Sequence, residues 1–231
     1  MSSQDLELLI LARCLSANFT FFLYSKYFFF KVMFYHNIHE YIMKKKKIAI
    51  FIFDNVEVLD FAGPYEVFSS VRNSKKRYSN ISLLKSPVEL FIVSEKKKVI
   101  TATGGLKIHS DYIFSSAPSP DILLIPGGRG TRNLLNNKKV LDWILSYQNI
   151  ELVCSVCTGS LLLAKAGLLK NKKATTHWGA YDILKKISPS TKIIKDKRYV
   201  KDKFFTSAGV SAGIDMSLEI ISLIYGKTVS N

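Results

Sequence analysis

Short, unbroken apolar runs recur along this chain, each too brief to be a helix that covers its own surface. Ile48–Phe53, Leu90–Val93 and Ile122–Ile125 are such runs, and Glu151–Ser155 carries Leu-Val-Cys at its centre. Runs of this length without alternation read as strands buried on both faces. Between them the spacing predicts helices over Phe61–Val71 (apolar Val67, Phe68 and Val71), Val140–Tyr147, Ser160–Ala166, Ala180–Ile187 and Ile214–Tyr225. Gly167 is a favoured helix stop. Val99–Ala102 and Lys107–Ser110 predict a small hairpin around Gly104-Gly105, and short strands are expected within Lys173–Thr176 and Lys192–Phe205. Strands interleaved with helices imply an α/β fold, a mostly parallel sheet with helices on both faces. Ligands of such sheets sit beyond the carboxyl ends of the strands. The chemistry is therefore to be sought just after Phe53, Ile125 and Ser155.

Charge narrows the function classes. The 231 residues carry 33 basic and 18 acidic side chains, a net charge of +15, which invites a nucleic-acid reading. Yet 27 of the basic residues are lysine, scattered in short runs such as Lys44–Lys47, Lys96–Lys98 and Lys172-Lys173. Arginine, the better reader of phosphates and bases, is scarce. A solvated lysine-rich surface is expected, with no nucleic-acid partner. Three cysteines, two of them close together, do not make a disulfide framework in a chain this long, and a reducing cytoplasm is the expected location.

Residues 1–42 differ from the rest. They hold three basic and three acidic residues, so the whole net charge lies downstream, and they contain the aromatic stretch Phe19–Tyr35. The acidic start does not fit a secretory signal, and Lys26 and Lys31 interrupt the apolar run. No stable membrane anchor is expected. Met43 opens a lysine run that leads directly into the first strand, as a natural start would. Residues 1–42 are therefore expected to be an extension outside the fold, and 43–231 the folded domain.

Three strand ends carry unusual residues. After Glu151–Ser155 comes Val156-Cys157-Thr158-Gly159-Ser160, the layout of a nucleophile elbow, in which a tight turn lifts one side chain clear of the sheet. A thiol there lies near a helix N-terminus, which favours thiolate. An inert buried cysteine and a Cys154-x-x-Cys157 dithiol are the alternatives. After Ile122–Ile125, Pro126-Gly127-Gly128-Arg129-Gly130 offers bare backbone that can stabilise a developing negative charge, or a plain turn. Asp60, after the first strand, is either a helix N-cap or a carboxyl group beside the thiol; Glu66 is expected to face solvent. His177, in Ala174-Thr175-Thr176-His177-Trp178, is either structural or a base or polar gate at the same sheet edge. No zinc-type spacing exists, so no metal is expected.

Five stretches, in order, resemble the ThiJ/PfpI family of class I glutamine-amidotransferase-like proteins. They are Leu59-Asp60-Phe61-Ala62-Gly63-Pro64, Ile125-Pro126-Gly127-Gly128, Val156-Cys157-Thr158-Gly159-Ser160, Ala174-Thr175-Thr176-His177-Trp178 and Ser211-Ala212-Gly213-Ile214-Asp215. Within the family the likeness is closest to isonitrile hydratases and to the amidase-like domains of AraC-type regulators. The resemblance implies a flavodoxin-like sandwich, a homodimer, no cofactor, a small-molecule substrate and Cys157 as nucleophile. It implies that Asp60 hydrogen-bonds the thiol, that the N–H groups of Gly128 and Thr158 bind an oxyanion, and that His177 lies near the thiol. The protease-like branch has histidine directly after its cysteine; Thr158 stands there instead, which points to the hydratase-like branch. The alternatives are a redox or carbonyl-stress protein of glyoxalase or deglycase type, and a ligand-sensing domain without catalysis. A regulator would need a helix-turn-helix module, for which the chain is expected to leave no space after the last helix.

Overall fold

In the computed structural model, described over residues 45–72, 86–96 and 98–230, the apolar runs become the middle of one sheet. Strands β1 (Lys46–Phe51), β2 (Val88–Ser94), β5 (Tyr112–Ile113), β6 (Ile122–Ile125), β7 (Leu152–Val156), β10 (Tyr199–Lys201) and β11 (Phe205–Ser207) stand in the order β10-β11-β7-β6-β1-β2-β5. Every pairing is parallel except β10 with β11. Ile48, Ile50, Phe51, Leu123, Leu124 and Ile125 are fully buried, as strands covered on both faces require. The remaining strands form two small ribbons. β3 (Val99–Thr101) and β4 (Lys107–His109) make the antiparallel hairpin around Gly104-Gly105, while β8 (Lys173–Ala174) pairs in parallel with β9 (Lys192–Ile193). This is the mostly parallel, helix-covered α/β arrangement of flavodoxin-like proteins.

Helices α1 (Val58–Ser69), α2 (Thr131–Leu134), α3 (Lys138–Ser146), α4 (Gly159–Lys165), α5 (Tyr181–Ile187) and α6 (Ala212–Tyr225) complete the layers. The expected helix over Phe61–Val71 begins three residues earlier. Its first turn carries Leu59 half out in solvent, so the apolar periodicity is audible only from Val67 onward. The shift matters for Asp60. It lies inside the first turn, the N-cap position belongs to Glu57, and the N-capping role is excluded. Strand β5 is too short to leave a pattern in the sequence.

Two of the motif stretches prove to be packing partners. A Cβ at Gly63 would lie 2.8 Å from Ile214 of α6, so α1 and α6 close against each other only over a bare backbone. That contact holds the start of α1 beside the loop preceding α6. Residues 1–42, the expected extension, lie outside the described residues. Among the described residues no helix is long and apolar enough to cross a membrane.

Candidate active site

The register of the sheet brings the strand ends level: Ile125 pairs with Ser155, and Ser207 with Val156. Just past this line the chain turns sharply at Cys157, whose φ of 55° lies in the left-handed region that a residue with a Cβ rarely enters. Its backbone is pinned on both sides. The Cys157 N–H donates to the Ser207 carbonyl at 3.0 Å, and the Cys157 carbonyl accepts from Ser160 Oγ and Thr176 Oγ1, each at 3.1 Å. Strained geometry persists where its surroundings over-determine it, as they do here. Gly159 permits the turn: a Cβ there would lie 2.1 Å from the Ile125 carbonyl oxygen.

Asp60 reaches this turn from α1. It is fully buried, and its two oxygens are both held: Oδ2 accepts from the Gly127 N–H and Oδ1 from the Val210 N–H, each at 3.0 Å. The Cys157 thiol and this carboxylate act on each other's ionisation. Burial pushes the Asp60 carboxyl up from the ordinary 3.8 to about 6, against the lowering pull of the Val210, Gly127 and Cys157 hydrogen bonds. Gly127 is glycine for want of room. A Cβ there would lie 2.6 Å from Thr158 N and 2.8 Å from Asp60 Oδ2.

The sulfur departs from expectation in two respects. Cys157 is only 7 % exposed, with the backbone of Gly209 lying over it, where the elbow pattern predicts a side chain lifted clear. The thiol is also pushed up to about 12, first by burial and then by the negative charge of Asp60. The N–H and hydroxyl of neighbouring Thr158 pull the other way and are outweighed. The resting pair at neutral pH is thus a thiol beside a carboxylate. The seven-residue helix that begins two residues later does not reverse that order.

The glycine loop is already engaged. The Gly127 N–H serves Asp60, and the Gly128 N–H donates to Thr158 Oγ1 at 3.0 Å, so neither amide is free to receive an oxyanion in this state. His177 does not join the cluster. Its Nδ1 accepts from the Gly179 N–H at 3.1 Å, capping a short 3₁₀ turn, and its ring tilts against Trp178, which is 76 % exposed. The motif that carries His177 does reach the thiol's turn, but through Thr176. Thr176, Val210 and Thr131 stand out only in the structure; residues of these types are common enough that placement alone marks them. Cys154 lies wholly buried within β7 with its sulfur toward the Leu123 carbonyl, and Cys154 and Cys157 are both free thiols. Glu66 is exposed, as expected. A cleft of about 310 Å³ lies beyond the end of β1, lined by Phe51, Phe53, Asn55, Glu95 and Asn133 among others, and the thiol is not in its wall. Among the described residues no group of three or more His, Cys, Asp or Glu side chains is arranged to hold a metal ion.

The model of the DJ-1/PfpI family matches residues 46–223 of the chain. An isonitrile hydratase from Pseudomonas putida is 33 % identical over 181 residues, covering 78 % of this chain and 72 % of that protein. A helix-turn-helix transcriptional regulator, CdhR, from Pseudomonas aeruginosa is 27 % identical over 132 residues, covering 57 % of this chain and 39 % of that protein. A crystal structure of a ThiJ/PfpI family protein from Pseudomonas syringae superposes with a TM-score of 0.70 at 29 % identity, covering 80 % of this chain and 72 % of that one.

Proposed function

This chain belongs to the DJ-1/PfpI family, and from that premise we propose that it is a cysteine-dependent enzyme that hydrates isonitriles to N-substituted formamides. The observation that carries the reading is the meeting of Asp60, Cys157 and Thr158 at one buried turn, with threonine where a peptidase of this family has histidine. Burial of the sulfur supports it further. An isonitrile ends in a single bare carbon on a linear axis and is a slimmer electrophile than a peptide carbonyl for a cysteine that is only 7 % exposed.

The chemistry follows from the resting protonation. Asp60 takes the thiol proton as the sulfur bonds to the terminal isonitrile carbon, then returns it to that carbon, leaving a thioimidate on Cys157. Water placed by Thr158 adds to the carbon and gives a proton to the nitrogen. The C–S bond then breaks, the sulfur regains a proton and the formamide departs. Covalent capture replaces one difficult hydration by two easier steps. Asp60 serves as base only when ionised, so the rate rises with pH through about 6 and then levels. The thiol's own ionisation lies far above that range.

A peroxide sensor needs an accessible thiolate; a buried, proton-bearing sulfur gives that alternative less support. The family resemblance supports a homodimer as the working unit, which light scattering of the purified chain tests. For the activity, purified protein is incubated with cyclohexyl isocyanide and the formamide is followed by chromatography. Formation that depends on Cys157 is the expected result. Absence of turnover, or equal turnover by Cys157→Ala, overturns the proposal.

A further inference from the structure

We propose that residues 165–203 form a surface for reversible association with an anionic lipid bilayer, with Trp178 as its apolar contact. The inference stands apart from the chemistry at Cys157.

The charge of the chain is unevenly placed. Residues 165–203 hold 11 lysines, one arginine and three aspartates, a net +9 of the total +15. The fold draws several of these lysines together. The β8–β9 ribbon lies beside the edge strand β10, and in it Lys173 pairs with Lys192 in register. Like charges opposite each other on a ribbon are unfavourable without a counter-charge. Asp202 supplies one, its carboxylate accepting from the Lys173 and Lys203 N–H groups close to the charges of Lys172 and Lys173. Lys195 reaches the start of α5, its Nζ 5.4 Å from the centre of the Tyr181 ring. Helix α5 turns Leu184 into the core and leaves Ile183, Lys185 and Lys186 exposed. Ile183 and Lys186, three apart, are neighbours on that outer face.

Trp178 stands at the head of this surface, in the turn that leads into α5. At 76 % exposure it is the most exposed large apolar side chain among the described residues. An indole beside lysines suits a lipid headgroup layer, where the ring settles at the interface and the ammonium groups meet phosphates. Other occupants fit less well. Arg198, the arginine of the stretch, is engaged by Asp215 and Ser211, and Ile183 offers nothing to a stacked base. A second copy seated twofold on this face would set lysine against lysine.

The test is sedimentation of the full chain with vesicles of phosphatidylcholine, alone or mixed with phosphatidylglycerol. The expected result is binding to the mixed vesicles at about 0.1 M salt and release at about 1 M, where screening acts within about 3 Å. Trp143 is stacked on Phe114 at 4.0 Å, so the blue shift of emission on binding belongs to Trp178 and vanishes in Trp178→Phe, which still binds. Trp178→Ala lowers the partition coefficient about tenfold. Lys186→Gln combined with Lys195→Gln lowers it about twentyfold. No binding, equal binding to both vesicles, or wild-type binding by Trp178→Ala or by the lysine pair overturns the proposal. A single-stranded oligonucleotide that displaces the vesicles through the same residues reassigns the surface to nucleic acid and overturns it too. So does Trp178 emission already shifted to the blue in a lipid-free dimer, since a second copy then covers the face.

Discussion

Cys154 and Cys157 stand on one strand and its exit, carry the same sulfur and are almost equally hidden from solvent. Inside β7 the sulfur of Cys154 meets only the weak acceptor of the Leu123 carbonyl, and burial alone pushes its ionisation far above the ordinary thiol range. Past the end of β7, the left-handed turn at Cys157 places the second sulfur against a carboxylate from α1 and a hydroxyl from the start of α4. Burial therefore does not separate the inert position from the candidate nucleophile. What separates them is company. A thiol with a base in contact can lose its proton as a bond forms, and a thiol among aliphatic neighbours cannot.

Removing each sulfur in turn gives the sharpest contrast. Cys157→Ala is expected to lower isonitrile turnover by at least about a thousandfold, the scale seen when a nucleophile is deleted, while circular dichroism shows the fold retained. Comparable turnover in the variant would erase the distinction between the two positions. Replacing the base comes next. Asp60→Asn is expected to cost about a hundredfold to ten-thousandfold in turnover and to abolish the rise through about pH 6. The sign is fixed by the raised carboxyl. The folded state holds the Asp60 proton more tightly than the unfolded chain, so Asp60 costs stability as pH climbs from about 4 to 6, and urea titrations of wild type against Asp60→Asn across that window should show the difference shrinking on acidification.

Smaller effects test the packing around the turn. Gly127→Ala forces a Cβ against the Thr158 N–H and the Asp60 carboxylate and is expected to cost about 1–3 kcal/mol in denaturant titration, with turnover falling because Asp60 loses its seat. Cys154→Ala is the weakest. It removes one buried sulfur, at about 1 kcal/mol by the scale of small core deletions, and leaves turnover within about twofold of wild type. A larger loss of turnover from Cys154→Ala would mean that the strand interior takes part in the chemistry.

Much of this architecture was legible before any coordinates. The apolar runs marked β1, β2, β6 and β7, the glycine pair marked the β3–β4 hairpin, and small residues after Cys157 marked the elbow. Local pattern carries such information because strand burial, helix spacing and tight turns each impose their demands on neighbouring residues. The sequence marks Asp60 as a candidate but leaves its role open between a cap and a partner of the thiol. Hydrogen bonds from the Gly127 and Val210 N–H groups, 67 and 150 residues away in sequence, decide for the second. His177 and Gly128 were assigned by motif position, and the tertiary hydrogen bonds gave them other work, one as a turn cap and the other as a donor to Thr158. The proton's place on sulfur was beyond any local reading as well. Protonation depends on desolvation and on charges brought together from distant parts of the chain, and those are properties of the closed fold, absent from any short stretch of sequence.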